Sequence, residues 1–432
     1  MSSPNFNPRQ LDLNEEFLAA FNLMEHTTDC AFITGKAGTG KSTLLKYFRA
    51  TTKKNVVVVA PTGVAAINVE GQTIHSFFRF PPRLITPQGV PRLRHAKIFK
   101  KMDVLIIDEV SMVRADLLDG IDASLRINRN NSQPFGGVQV ILFGDMYQLA
   151  PIVREEDLRQ YIQENYGSPY FFNAKAFKAV NFQSVELQTV YRQPEAEFVS
   201  LLNKFRMNTM DADDLDLINS RVTAGSPGSG EEGVLTLTST NAIAEKMNKT
   251  RLAALPSRMF EYEAQVSGDF EESLFPTQPL LALKVGGQVM FLRNDPLKRW
   301  VNGTLGQVSY LSANCVKVTA DGTEHEIEPV SWEKIKYRYD EESKKIEAQV
   351  TGTFKQFPLK LAWAVTIHKA QGQTFDRVRI DLGHGAFAHG QVYVALSRCR
   401  TLKGITLKRS LTRRDVIFDE GMLDFKKSLA VD

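Results

Sequence analysis

The chain has 432 residues, 43% apolar and 24% charged, ordinary globular values that exclude a largely disordered polymer and leave room for about three domains. Lys plus Arg number 53 against 49 Asp plus Glu, an excess too small to argue for or against nucleic acid, so any basic footprint is local. Three scattered cysteines, Cys30, Cys315 and Cys399, exclude a disulfide framework and a CxxC zinc site and suit a reducing compartment.

The first residues, Met1 to Asn7, lack both a charged and an apolar signal region, and aliphatic runs such as Val56 to Val59 are too short to span a bilayer. The expectation is a soluble, intracellular chain with no membrane partner. Phe6, Pro8 and Gln10 stand just ahead of the first helix. An aromatic and an amide there suit an adenine contact, and a frayed tail accounts for them equally well. Asn14 to Glu25 repeats apolar residues at Phe17, Leu18, Phe21 and Met24, a helical spacing.

Cys30-Ala31-Phe32-Ile33-Thr34 reads as a buried strand, Gly35-Lys36-Ala37-Gly38-Thr39-Gly40-Lys41-Ser42 follows, and Thr43 to Phe48 reads as a helix. This is a P-loop in strand–loop–helix context. Backbone N–H groups of Gly38, Thr39, Gly40, Lys41, Ser42 and Thr43 suit phosphates, Lys41 adds a point charge, and the Ser42 hydroxyl suits Mg²⁺. A nucleoside triphosphate, ATP or a relative, is therefore the expected ligand.

Asn55 to Ala60 is a second buried strand, so a doubly wound parallel sheet is expected, with ligands at the carboxyl ends of its strands. Thr62, Gly63, Thr73 and His75 fall there and suit a phosphodiester chain; Phe77 or Phe78 suits base stacking, with burial in the core the favoured reading. Phe80 to Lys101 is Pro-rich and then basic without an acid, so it reads as an excursion, either a solvated loop or a positive surface.

Val104 to Ile107 ends in Asp108 and Glu109. One acid can hold the Mg²⁺ shell and the other can orient and deprotonate water, a division of labour that hydrolysis needs and storage does not. After the strand Val138 to Phe143, Gln148 suits sensing of the γ-phosphate, although a surface-turn glutamine is the default. Ala224 to Gly230 is a turn-forming stretch, and short β-rich runs from about 262 to 354 suggest a small antiparallel barrel inserted in a second α/β unit. Lys298, Arg299 and Trp300 lie in one of its loops and suit contact with nucleic acid, with a solvated charge pair beside a packed Trp as the default. Leu361 to Thr374, the strand Arg377 to Leu382 and the helical run Val392 to Arg398 resume the α/β pattern, with Trp363 expected in the core.

The stretches Ala60 to Ala66, Asp108-Glu109-Val110-Ser111-Met112 through Pro134-Phe135-Gly136-Gly137, Leu361 to Thr374, and Tyr393 to Arg398 together resemble the superfamily one helicases of the petite-integration-frequency type, relatives of the RecD-like motors. The resemblance implies two RecA-like P-loop domains, one at 1–187 with a wedge insertion at about 79–101, the other at 188–261 and 355–432, and an inserted β-barrel at 262–354. It implies an ATP- and Mg²⁺-dependent 5′-to-3′ DNA helicase on single-stranded DNA that opens duplex or G-quadruplex junctions. The rival readings are a translocase that separates no strands and a P-loop switch protein.

By the same resemblance Arg192 and Arg398 are arginine fingers, Gln148 links the γ-phosphate to the DNA track, Gly372 approaches the nucleotide, and Thr62, His75, Thr366, His368 and Lys369 line the track. Two departures stand out. Phe17 occupies the place of the family's adenine-reading glutamine, leaving that contact to Gln10 or to none, and Leu149-Ala150-Pro151 replaces Leu-Pro-Pro. A monomeric, compact bacterial or phage motor of the cytoplasm or nucleoid is expected.

Overall fold

The computed structural model describes residues 14–81, 83–93, 96–153, 155–223 and 233–429. They form two compact units: the first runs to Tyr191 and includes Glu333–Thr351 and the chain from Glu420 on, and the second comprises Arg192–Trp332 and Gly352–Asp419. Among the described residues no helix is long and apolar enough to cross a membrane.

The first unit is built on a six-stranded sheet in the order β3-β2-β4-β5-β1-β6, with β1 Ala31–Gly35, β2 Val56–Ala60, β3 Gln72–Thr73, β4 Val104–Ile107, β5 Gln139–Phe143 and β6 Gln183–Leu187. All its pairings are parallel. The unbroken apolar runs follow from that: helices cover both faces, so successive side chains are buried whichever way they point, and β1, β4 and β5 are buried at every position. The chain leaves β1 for β2 across β5 and β4, and so β1 carries its loop to a switch point, where doubly wound sheets bind ligands.

The helix Glu15–His26 starts on an Asn14 cap and packs Phe17, Ala20 and Met24 into the core beneath the P-loop helix Lys41–Thr51. Phe77 and Phe78 are buried too, edge-to-face with one another and packed on Phe99, as favoured for them. The excursion at 80–101 is not a solvated loop. It buries Phe80, Ile85, Val90 and Phe99 and leaves Arg83, Arg92, Lys97, Lys100 and Lys101 outside.

Two buried polar groups of the helix Ala115–Arg129 hold that excursion: the Asp116 carboxylate accepts from the Ile85 N–H at 3.1 Å, and the Asn128 side-chain oxygen accepts from the Leu93 N–H at 2.8 Å. Gly120 makes the approach possible, since a Cβ there would stand 2.5 Å from Ile85 Cγ2.

In the second unit four parallel strands lie in the order Ala364–Thr366, Leu235–Thr238, Val378–Asp381 and Ile405–Leu407. A five-stranded antiparallel sheet, 288–327 closed by Leu359–Leu361, shares one core with the hairpin Met259–Glu263 and Leu280–Lys284. Arg299 is paired with Asp295 at 2.7 Å and lies over the buried Trp300 ring, as the default reading of that loop had it. Trp363, expected in the core, is only half-buried, because it sits in the short link between the antiparallel and parallel sheets.

Candidate active site

The P-loop conformation follows from its glycines. Gly38 and Gly40 have φ of +85° and +89°, in the left-handed region that a side chain disfavours, and Gly40 caps the helix Lys41–Thr51. The loop curls on itself: the Thr39 hydroxyl donates to the Lys36 carbonyl at 3.0 Å, and Lys41 Nζ donates to the carbonyls of Gly35 at 2.7 Å and Lys36 at 3.0 Å. Ser42 and Thr43 open the helix, Ser42 exposed.

Three neighbouring strands, β4, β5 and β1, bring their carboxyl ends to this loop. β4 delivers Asp108 and Glu109. Glu109 sits at φ 50°, ψ 44°, a left-handed conformation that costs a non-glycine residue about 1–2 kcal/mol and turns its side chain out of the strand line. Desolvation first, and the neighbouring Glu109 charge second, push Asp108 up to about 7, against the pull of Lys41 and Lys46. Such a carboxylate is short of positive charge, which is the environment a divalent cation relieves.

Among the described residues no group of three His, Cys, Asp or Glu could hold a metal by itself. The donors at hand, Asp108 and the Ser42 hydroxyl, are hard oxygens of the kind that Mg²⁺ shares with phosphate oxygens and water.

β5 delivers Gly144, Asp145 and Gln148. The Gly144 N–H donates to the Ile33 carbonyl, and a Cβ at Gly144 would meet Val110 at 2.9 Å, so the turn after Glu109 rests on this glycine. Gln148 is 5% exposed rather than a surface-turn residue, and its amide donates to Asp145 at 3.3 Å. Asp145, fully buried, holds the glutamine in place and went unnoticed in the sequence, where a lone Asp in a Gly-Asp turn carries no signal.

Gln10 lies outside the described residues. Phe17 is buried against Tyr47 and has no polar atom to offer a base. The residue missed here is Tyr191: its N–H donates to the Gly38 carbonyl at 3.0 Å, its hydroxyl accepts from Asn14 at 3.2 Å, and its ring stays 54% exposed beside Gly40.

Thr62 and Thr73 cap the short helices Gly63–Asn68 and Ile74–Phe78, each hydroxyl oxygen accepting a backbone N–H at 3.2 Å. An accepting hydroxyl keeps its own proton to donate outward. Burial first, then the Arg114 guanidinium, hold His75 below its ordinary 6.5, so the ring is neutral near pH 7.

In the second unit Arg192, Gly372 and Arg398 come together. Arg192 donates to the carbonyls of Ser397 and Gly372, both at 3.4 Å. Arg398 is 1% exposed and donates to Val394 O at 3.0 Å, Ser397 Oγ at 2.8 Å and Gln373 O at 3.4 Å. Gln193, also missed, braces the same turn through the Ser397 and Cys399 carbonyls. Thr366 is buried and accepts the Lys369 N–H at 3.3 Å, while Lys369 is exposed. The His368 ring lies nearly parallel to Phe387, at 14° and 6.4 Å between centroids, and Phe387 is 55% exposed.

Residues 12–214 match the model of the PIF1-like helicase family. The chain is 32% identical over 436 residues to ATP-dependent DNA helicase Pif1 of Bdellovibrio bacteriovorus, covering 97% of this chain and 92% of that one. Of the human ATP-dependent DNA helicase PIF1, 34% identical, it spans only 57% while 87% of this chain is matched. Among solved structures it is similar to Bacteroides Pif1 in complex with ADP-AlF4, at 39% identity, 98% of both chains and a TM-score of 0.89, and to Bacteroides Pif1 bound to ssDNA, at 40% identity, 97% of both chains and a TM-score of 0.70. With a P-loop, a strand-end acid pair and a buried glutamine gathered at the carboxyl end of one sheet, and similarity running along nearly the whole chain, this protein belongs to the PIF1-like helicase family.

Proposed function

We propose that this helicase hydrolyses Mg²⁺-bound ATP to move 5′ to 3′ along single-stranded DNA and to open the duplex, or a G-quadruplex, ahead of it. The observation that carries the reading is the convergence of Lys41, Asp108, Glu109 and Gln148 at the carboxyl ends of three adjacent parallel strands. The relatives' own descriptions, a nucleotide-analogue complex and an ssDNA complex, support it.

Each residue has a chemical task. Gly38 to Thr43 cradle the phosphates, and Ser42 with Asp108 would hold Mg²⁺, which would supply positive charge against the phosphates. Glu109 orients and deprotonates the attacking water. Arg192 and Arg398 supply positive charge for the transition state, Gln148 reads the γ-phosphate, and Gly372 keeps backbone open to the nucleotide. The exposed Tyr191 ring suits stacking of the base.

On the strand, Thr62, Gly63, Thr73, His75, Thr366 and Lys369 serve phosphates, while His368 and Phe387 offer ring faces to bases. The stapled 80–101 excursion acts as the wedge, and the antiparallel sheets of the second unit are the inserted barrel. Hydrolysis is needed because stacking one base returns about 1–3 kcal/mol while opening one base step costs about 1.4 kcal/mol on average. Binding therefore holds a melted base without choosing a direction.

Matched duplexes with 5′ or 3′ tails, with and without ATP, test the reading: strand displacement only from the 5′ tail and only with ATP is expected. Displacement from the 3′ tail alone overturns the polarity, and ATP-driven movement without displacement leaves a translocase.

A further inference from the structure

We propose that Tyr191, locked in place by Asn14, takes the nucleobase on its ring face alone, so that the site accepts purine nucleoside triphosphates, GTP as well as ATP, without reading the base edge. This rests on the nucleotide reading above and goes beyond it by assigning the class of base and by naming Asn14 as the residue that positions the tyrosine.

Tyr191 is fixed at both ends. Its N–H donates to the Gly38 carbonyl of the P-loop at 3.0 Å, and its hydroxyl accepts from the Asn14 amide at 3.2 Å. The ring between these anchors lies alongside Gly40, where a Cβ would stand 4.0 Å from Tyr191 Cε2, yet the residue stays 54% exposed. An open aromatic ring immobilised beside the phosphate loop is a platform whose ordering cost falls on folding rather than on binding.

The first turn of the helix Glu15–His26 makes the lock. Asn14 Nδ2 carries two hydrogens: one goes to the Tyr191 hydroxyl and the other to Thr189 Oγ1 at 3.2 Å, while the side-chain oxygen caps the helix by accepting the Phe17 N–H at 2.8 Å. In the same turn the Glu16 carboxylate accepts the Gln188 N–H at 2.8 Å, so the segment 188–191 is tied to this turn as well as to the P-loop.

The lock has a chemical consequence. Adenine presents an amino donor where guanine presents a carbonyl acceptor, and telling them apart takes a hydrogen bond to that edge. The amide that touches the platform has both its hydrogens committed, and Phe17 of the same turn is buried edge-on against Tyr47 and is apolar. A ring face does not distinguish the two, since every base has a π-face. A site that bonds its substrate's edge rejects the wrong analogue by about 10⁴-fold or more, and stacking sets no such ratio.

Steady-state hydrolysis of ATP and of GTP by the full chain with saturating oligothymidylate tests this. The two kcat/KM values should agree within about threefold, and Tyr191→Ala should raise KM for both by the same factor, about tenfold or more. Asn14→Ser keeps a helix cap but cannot reach the tyrosine, so it should raise KM for both nucleotides with the melting temperature unchanged, and add nothing further in a Tyr191→Ala chain. A merely structural Asn14 would instead give effects that add.

A preference for ATP of about a hundredfold or more overturns the inference, and its loss in Gln10→Ala would hand the base edge to that residue. An unchanged KM in Tyr191→Ala, or additive effects of the two substitutions, overturns it as well. A wild-type chain that hydrolyses neither nucleotide overturns the hydrolysis reading itself.

Discussion

Asp108→Asn separates the cost of the catalytic site from its benefit. The carboxyl is 9% exposed at the end of β4, and burial plus the adjoining Glu109 raise it from its ordinary 3.8 to about 7. A raised acid binds its proton more tightly when folded, so its contribution is most favourable at low pH and is lost as pH climbs through 7. A shift of about three units corresponds to a penalty on the order of 4 kcal/mol at pH 8 and less than half of that at pH 5. Asparagine keeps the shape and removes the titration. The opening free energy of the β4 amides, Val104–Ile107, followed by hydrogen exchange in nucleotide-free protein, should therefore rise in the variant much more at pH 8 than at pH 5, while ATP turnover is lost. An equal rise at both pH values, or none at pH 8, refutes the account of Asp108 as a charge held in waiting for a cation.

Two further outcomes follow. Arg398→Ala should remove DNA-stimulated ATP turnover by about 10³-fold or more while sparing ATP binding. Because Arg398 is buried and bonded to Val394, Gln373 and Ser397, Arg192→Ala, at a less buried guanidinium, is the companion that spares the fold, and full turnover in either variant rejects the assignment. Gly120→Ala should destabilise the first unit by about 1–3 kcal/mol despite alanine's better helix propensity, because the new Cβ meets Ile85. Ile85→Ala in the same chain should cancel that cost in a double-mutant cycle, and strictly additive effects would refute the close approach.

What the amino-acid order determined by itself was local. The strand–loop–helix of the P-loop, the apolar run ending in Asp108-Glu109 and the sequential strands of a parallel sheet are each written within a dozen residues, where backbone geometry and burial pattern act directly. Even the glycine conformations at Gly38 and Gly40 follow from residue type.

Only the tertiary structure decided what depends on chain-distant neighbours. It buried Gln148 beside Asp145. It carried Tyr191 to the P-loop, tied to Asn14 across 177 positions, and gathered Arg192 with Ser397 across 205. The physical reason is common to all of these: a side chain's task is set by the groups that surround it, and those groups are chosen by sheet order and crossover connections rather than by adjacency along the chain.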